Sequence, residues 1–130
     1  MNREPFDPTQ ADLQGVIARL ENWGRWARDH AARARARSAE GRYRPERGDI
    51  EPRRTPEPDI DARDASVIDR AMAPIRGFPI RWSRLLKAHY EFRALPAATC
   101  RRLYMPRSEY EMQLRMASAH LLAVLTRARR

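Results

Sequence analysis

Arg107, Ser108, Glu109, Met112 and Gln113 lie close together where an apolar helical periodicity begins. These side chains suit the reading of base edges. An arginine guanidinium pairs at two points with guanine and a glutamine amide with adenine, while a glutamate accepts from cytosine. Arg115 extends the same set. Arg101 and Arg102, just upstream, suit backbone phosphates, contacts that fix register without reading sequence. The other reading of residues 107–115 is an ordinary solvated face of a helical bundle.

Other constellations carry weaker chemistry. Asp59, Asp61, Asp64 and Asp69 resemble a carboxylate cluster for a hard cation, and thus a Mg²⁺ nuclease. Three of them stand at a helix start, where negative charge is favourable, so capping is the preferred role. His30, His89 and His120 are scattered, and His89 beside Tyr90 on an apolar face reads as a core histidine. Cys100 is the single cysteine, which excludes an intramolecular disulfide and a multi-cysteine zinc site and suits a reducing cytoplasm. Its inward position favours packing, although Arg101 and Arg102 beside it are the kind of neighbours that lower a thiol pKa. Trp23 and Trp26 share one helical face, as core anchors or as a platform for RNA or a partner. There is no Gly-rich phosphate loop and no nucleophile elbow. No catalytic residue, metal, cofactor or small-molecule substrate is therefore expected, and the chain does not read as an enzyme.

The elements that must position these residues are helical. From Asp12, apolar residues recur at Leu13, Val16, Ile17, Leu20, Trp23 and Ala27, and the Ala/Arg stretch 31–37 can prolong this helix as a solvated end or as an arm on nucleic acid. Four prolines between Gly41 and Asp61 exclude a helix interior and mark a linker or extended loop. Asp61 or Asp64 then caps a helix with Ile68, Ala71, Met72 and Ile75 on one face, which Pro74 kinks or ends. Gly77 breaks the chain, Pro79 opens a further helix carrying Trp82, Leu85, Leu86, His89 and Tyr90, and Pro96 opens a short one with Thr99, Cys100 and Leu103 inward. After Tyr104-Met105-Pro106 a longer helix runs from about Ser108 to Arg127, burying Tyr110, Leu114, Ala117, Leu121, Leu122 and Leu125. Ser108 with Glu111 makes a capping box. A short helix, a tight break and a longer helix form the helix-turn-helix pattern.

Composition bounds the whole. With 130 residues and 42% apolar content, one modest core is expected, in an all-α fold. The divisions are a disordered N-terminus at 1–11, an N-terminal helix at 12–40, an acidic Pro-rich linker at 41–61 and a helix-turn-helix module at 62–127. A mean hydropathy of −0.78 and the lack of a long apolar run exclude a membrane span, and the acidic, Pro-rich start is no secretory signal. The net charge of +9 is unevenly spread: −3 over 48–64, but thirteen basic against four acidic residues from 65 onward. Only Lys87 is lysine. Codon bias explains the choice of arginine, but not where the charge sits, and a polyanionic partner follows from the latter.

Leu20-Glu21-Asn22-Trp23-Gly24-Arg25-Trp26-Ala27 resembles the L-E-x-W-G-x-W-A opening of one family of phage Q-type late-gene antitermination proteins. Ile68-Asp69-Arg70-Ala71 and Leu85-Leu86-Lys87-Ala88-His89-Tyr90 are similar to that family's I-D-x-A and L-L-x-x-H-Y stretches. Pro96 through Leu121 aligns with its helix-turn-helix, which is similar to region 4 of bacterial sigma factors. The chain departs from the pattern at Arg93 and Tyr104, where the family has glycine, so the helix end before Arg93 is expected to lack its positive-φ residue. Leu95 replaces a Ser-like cap, and Pro106 stands where a serine often caps the recognition helix. The resemblance implies a phage factor that binds double-stranded DNA near a late promoter and loads onto sigma-containing bacterial RNA polymerase. Such a factor suppresses pausing and termination at the RNA exit channel, beside nascent RNA. The alternatives are a helix-turn-helix regulator acting only at a promoter, and an interaction protein that binds a host factor.

Overall fold

The computed structural model describes residues 9–38 and 59–128, and these residues are all-α. Helix α1 spans Gln10–Ser38. Its start is capped reciprocally: the Thr9 N–H donates to Asp12 Oδ2 and the Asp12 N–H to Thr9 Oγ1, both at 3.1 Å. The helix therefore begins two residues before Asp12, because Thr9 supplies the cap. The rest of the N-terminal segment expected to be disordered, and residues 39–58 of the expected linker, lie outside the described residues. The Ala/Arg stretch continues α1, with Arg33 paired to Asp29 on an exposed face.

Helix α2, Ala62–Ala71, is tied to α1 by its acids. The Asp61 carboxylate caps it by accepting from the Asp64 N–H at 3.1 Å. Asn22 of α1 reads the Asp61 backbone from both sides: its amide donates to Asp61 O and its Oδ1 accepts from Asp61 N–H, each at 2.9 Å. Arg19 forks onto the Asp64 carboxylate at 2.7 and 3.0 Å, and the Trp23 indole donates to Asp69 at 3.2 Å. Capping and interhelical pairing thus occupy Asp61, Asp64 and Asp69. Among the described residues no group of His, Cys, Asp and Glu is placed to hold a metal ion.

One expected core position fails. The helical spacing puts Ile75 on the buried face of this helix, but it is 93% exposed. The helix ends at Ala71, and Pro74, lacking an N–H, opens a separate 3-10 turn (Pro74–Arg76) that swings Ile75 outward before Gly77 at φ 92°.

Helix α3, Ile80–Leu86, continues through a π-helical turn at Lys87–Glu91. Its closing bonds are widened accordingly, Phe92 N–H to Lys87 O and Ala94 N–H to Ala88 O, both 2.9 Å. Helix α4, Pro96–Leu103, ends with Tyr104 in the left-handed region, and Met105 N–H returns to Cys100 O at 3.0 Å. That is a Schellman closure with a tyrosine in glycine's place, and the buried Met105 makes its apolar contact with Cys100. A 3-10 turn, Arg107–Glu109, leads into α5, Tyr110–Ala128.

Leu13, Val16, Leu20, Trp23, Ile68, Met72, Phe78, Leu86, Ala117, Leu121 and Leu125 form one core shared by α1, α2, α3 and α5. A second cluster, Leu85, Cys100, Met105 and Tyr110, lies under α4. Helix α1 reaches α3 across Gly24. A Cβ at Gly24 would overlap the Tyr90 carbonyl oxygen and lie 2.8 Å from its carbon. One turn on, Arg28 Nη1 donates to Tyr90 O at 2.6 Å and to Glu91 O at 3.2 Å, capping carbonyls at the end of the π turn. No helix among the described residues is long and apolar enough to cross a membrane.

Because backbone, not a movable side chain, would meet the added methyl, Gly24→Ala is expected to lower stability by about 3 kcal/mol. Urea unfolding measures this, and an unchanged midpoint contradicts the crossing as described.

Candidate nucleic-acid interface

Helices α4 and α5 stand on supports contributed by α3. Tyr110, the first residue of α5, is buried against Leu85, Cys100 and Met105, and its hydroxyl lies 2.7 Å from His89 Nδ1 in the π turn. The Trp82 indole donates to Gln113 Oε1 at 3.0 Å. His120 packs edge-on against Phe78 and Trp82, with ring centroids 5.2 and 5.4 Å away. These contacts fix the roll of α5, and with it which side chains face outward.

The eight expected contact residues divide between two faces. Arg101 and Arg102 are exposed on α4, and Ser108, Met112 and Arg115, spaced four and three residues apart, are exposed along one outer face leading into α5. Arg107 is exposed too, but it is held: Nη1 lies 3.0 Å from both carboxylate oxygens of Glu111, and the guanidinium sits 5.3 Å over the Tyr110 ring. Glu109 and Gln113 are half-buried on the inner flank. Trp82 uses one of the two acceptor positions on the Gln113 carbonyl oxygen and holds the amide toward the inner flank. The expected Ser108–Glu111 capping box does not form. Pro106 precedes the 3-10 turn without a side-chain cap, and Glu111 turns to Arg107 instead.

The expectation that the helix end before Arg93 lacks a positive-φ residue is also corrected. Arg93 itself takes φ 51° and Tyr104 takes φ 54°, so side-chain-bearing residues occupy both left-handed positions. Each costs about 1–2 kcal/mol of local strain, which surrounding closures must offset. Sequence reasoning passed over Phe92 and Tyr104 as surface groups; they are 67% and 92% exposed. A large aromatic residue next to a turn, where glycine is easier, was the available signal.

Burial raises the Tyr110 hydroxyl above its ordinary range and pushes Tyr90 up to about 12, with Glu21 adding to the latter. Both remain neutral hydrogen-bonding groups. Burial lowers His89, against an opposing pull from Glu21, and lowers His120, where Arg127 adds to the effect. Cys100 is buried in the second cluster and has a packing role.

No family model, no curated protein and no solved structure matches the chain.

The histidines give the interface's support a pH dependence. Their folded-state pKa values lie below the ordinary 6.5, so the unfolded chain takes up protons first as pH falls. Their contribution is fully present above about pH 6.5 and is lost on acidification. Glu91, raised by burial above the ordinary carboxylate range, acts in the opposite sense. The melting temperature should therefore drop between pH 7 and 5.5. His120→Phe, which keeps the aromatic contacts, should lessen that drop, and a drop of undiminished size would contradict the assignment.

Proposed function

We propose that the chain is a DNA-binding transcription factor whose α4–turn–α5 unit acts as a helix-turn-helix similar to region 4 of sigma factors. The observation that carries this reading is the outward basic face of that unit. Arg101 and Arg102 are free for phosphates on α4, and Ser108, Met112 and Arg115 line the leading edge of α5, above a buried cluster that holds the two helices together. In this reading α5 enters the major groove. Arg107, positioned by Glu111 and Tyr110, contributes to guanine contact, while Glu109 and Gln113 serve from the flank. The left-handed backbone at Arg93 and Tyr104 supports the resemblance to Q-type antitermination proteins, whose glycines stand at those positions.

On that resemblance, the factor binds a phage late promoter, loads onto sigma-containing RNA polymerase and suppresses termination at the RNA exit channel. A basic surface is suited to that place, where the emerging RNA is a polyanion. Exposed Met112 and Met116, one turn apart on α5, favour a second reading in which this face docks a protein, since methionine adapts to varied apolar partners.

Two experiments test the proposal. Single-round transcription from the phage's late promoter through a downstream terminator should show greater read-through when the protein is added, and no gain overturns antitermination. Duplex affinity should fall steeply with salt, and Arg101→Ala with Arg102→Ala should reduce the log–log salt slope by about two. An unchanged slope removes these arginines from the phosphate contacts.

A further inference from the structure

A groove of about 950 Å³ runs between the end of α3 and α4, on residues that the duplex reading uses only in part. Arg84, Lys87, Arg101 and Arg102 line it, together with Phe92 and Tyr104, and none of its lining residues is acidic. All four cations are exposed. Arg84, Lys87, Arg101 and Arg102 form no ion pair among the described residues, although Lys87 is near enough to Glu91 to act on its carboxylate. The two aromatic rings project into solvent and contribute little to the core. Tyr104 in addition holds a left-handed backbone, φ 54°, that glycine would adopt without strain. A residue that strains the chain and buries almost nothing is best explained by what it touches from outside.

We infer that this groove binds single-stranded nucleic acid, with Phe92 and Tyr104 stacking on bases and the four cations tracking the phosphates. Cationic grooves set with exposed aromatic rings are the usual form of such sites, because every base offers a π face whatever its sequence. A duplex does not fit the chemistry: its bases are already stacked on one another and hidden from the rings. An acidic peptide would satisfy the cations but leave the aromatic pair without a role. The groove shares Arg101 and Arg102 with the duplex reading, but Arg84, Lys87, Phe92 and Tyr104 belong to it alone, and Arg115 on α5 belongs only to the duplex reading.

The test is fluorescence anisotropy of the full chain with labelled oligo(U), oligo(dT) and a mixed-sequence duplex of the same length. Tyr104→Gly and Phe92→Ala should each weaken single-strand binding by about 5- to 100-fold and leave duplex affinity unchanged. The melting temperature of Tyr104→Gly should hold or rise, which separates loss of a contact from loss of fold. Loss on oligo(U) alone identifies RNA as the ligand, and equal loss on both strands a site indifferent to the sugar. Arg115→Ala should do the reverse, weakening only the duplex, so that failure of either reading is visible separately. The inference is overturned if the chain binds neither single strand. It is equally overturned if both aromatic variants keep full affinity while Arg84→Ala loses it, since charge alone would then account for binding.

Discussion

The approach of α1 to the π turn at Gly24 is the constraint on which the other contacts depend. Only a residue without a side chain lets α1 pass against the Tyr90 carbonyl, and the widened turn holds that carbonyl there. Arg28 then caps Tyr90 O and Glu91 O from α1, so a helix end that would otherwise leave acceptors unsatisfied is closed by a neighbouring helix. π turns are rare and occur mostly as single turns within α-helices, as here. Here the same turn carries His89 to the Tyr110 hydroxyl, and so joins the α1 crossing to the first residue of α5.

Which side chains of α5 face outward follows from that chain of contacts. With Tyr110 anchored and Gln113 tied to Trp82, α5 has one roll about its axis, and Ser108, Met112 and Arg115 point outward. The left-handed residues Arg93 and Tyr104 turn the chain into and out of α4, setting its exposed arginines beside the end of α3. Two basic surfaces therefore meet at α4, the outer face leading along α5 and the groove toward α3. The acids of α2 are drawn the other way, onto Arg19, Trp23 and the helix start, so the basic surfaces are left with few neutralising partners.

Helical periodicity made most of the architecture legible. Leu13, Val16, Leu20 and Trp23 on α1, and Tyr110, Ala117, Leu121 and Leu125 on α5, are buried where their spacing places them. The inward position of Cys100 was legible for the same reason. Ile75 was not, because periodicity continues through a proline on paper whereas the backbone does not. The π turn was hidden as well: nothing in Lys87-Ala88-His89-Tyr90-Glu91 departs from an ordinary helix, and its partner Gly24 lies more than sixty positions away in the sequence. At the candidate site, residue type singled out the segment 101–115 but not the roll of α5. Gln113 falls on the inner flank, where Trp82, thirty-one positions away, donates to its amide oxygen. The groove stayed out of view since it joins Arg84 and Lys87 to Arg101 and Arg102 only through the fold.

In the proposed reading the outer α4–α5 face meets the DNA duplex, and the α1–α2 side of the core takes no part. Titrating the isotopically labelled full chain with a mixed-sequence duplex at low salt, while following backbone amide shifts, tests this most directly. The expected shifts concentrate at Arg101, Arg102, Ser108, Met112 and Arg115 and spare the amides of Leu13, Val16 and Ile68. Shifts centred on α1 and α2, with the α4–α5 amides unmoved at saturation, would contradict it.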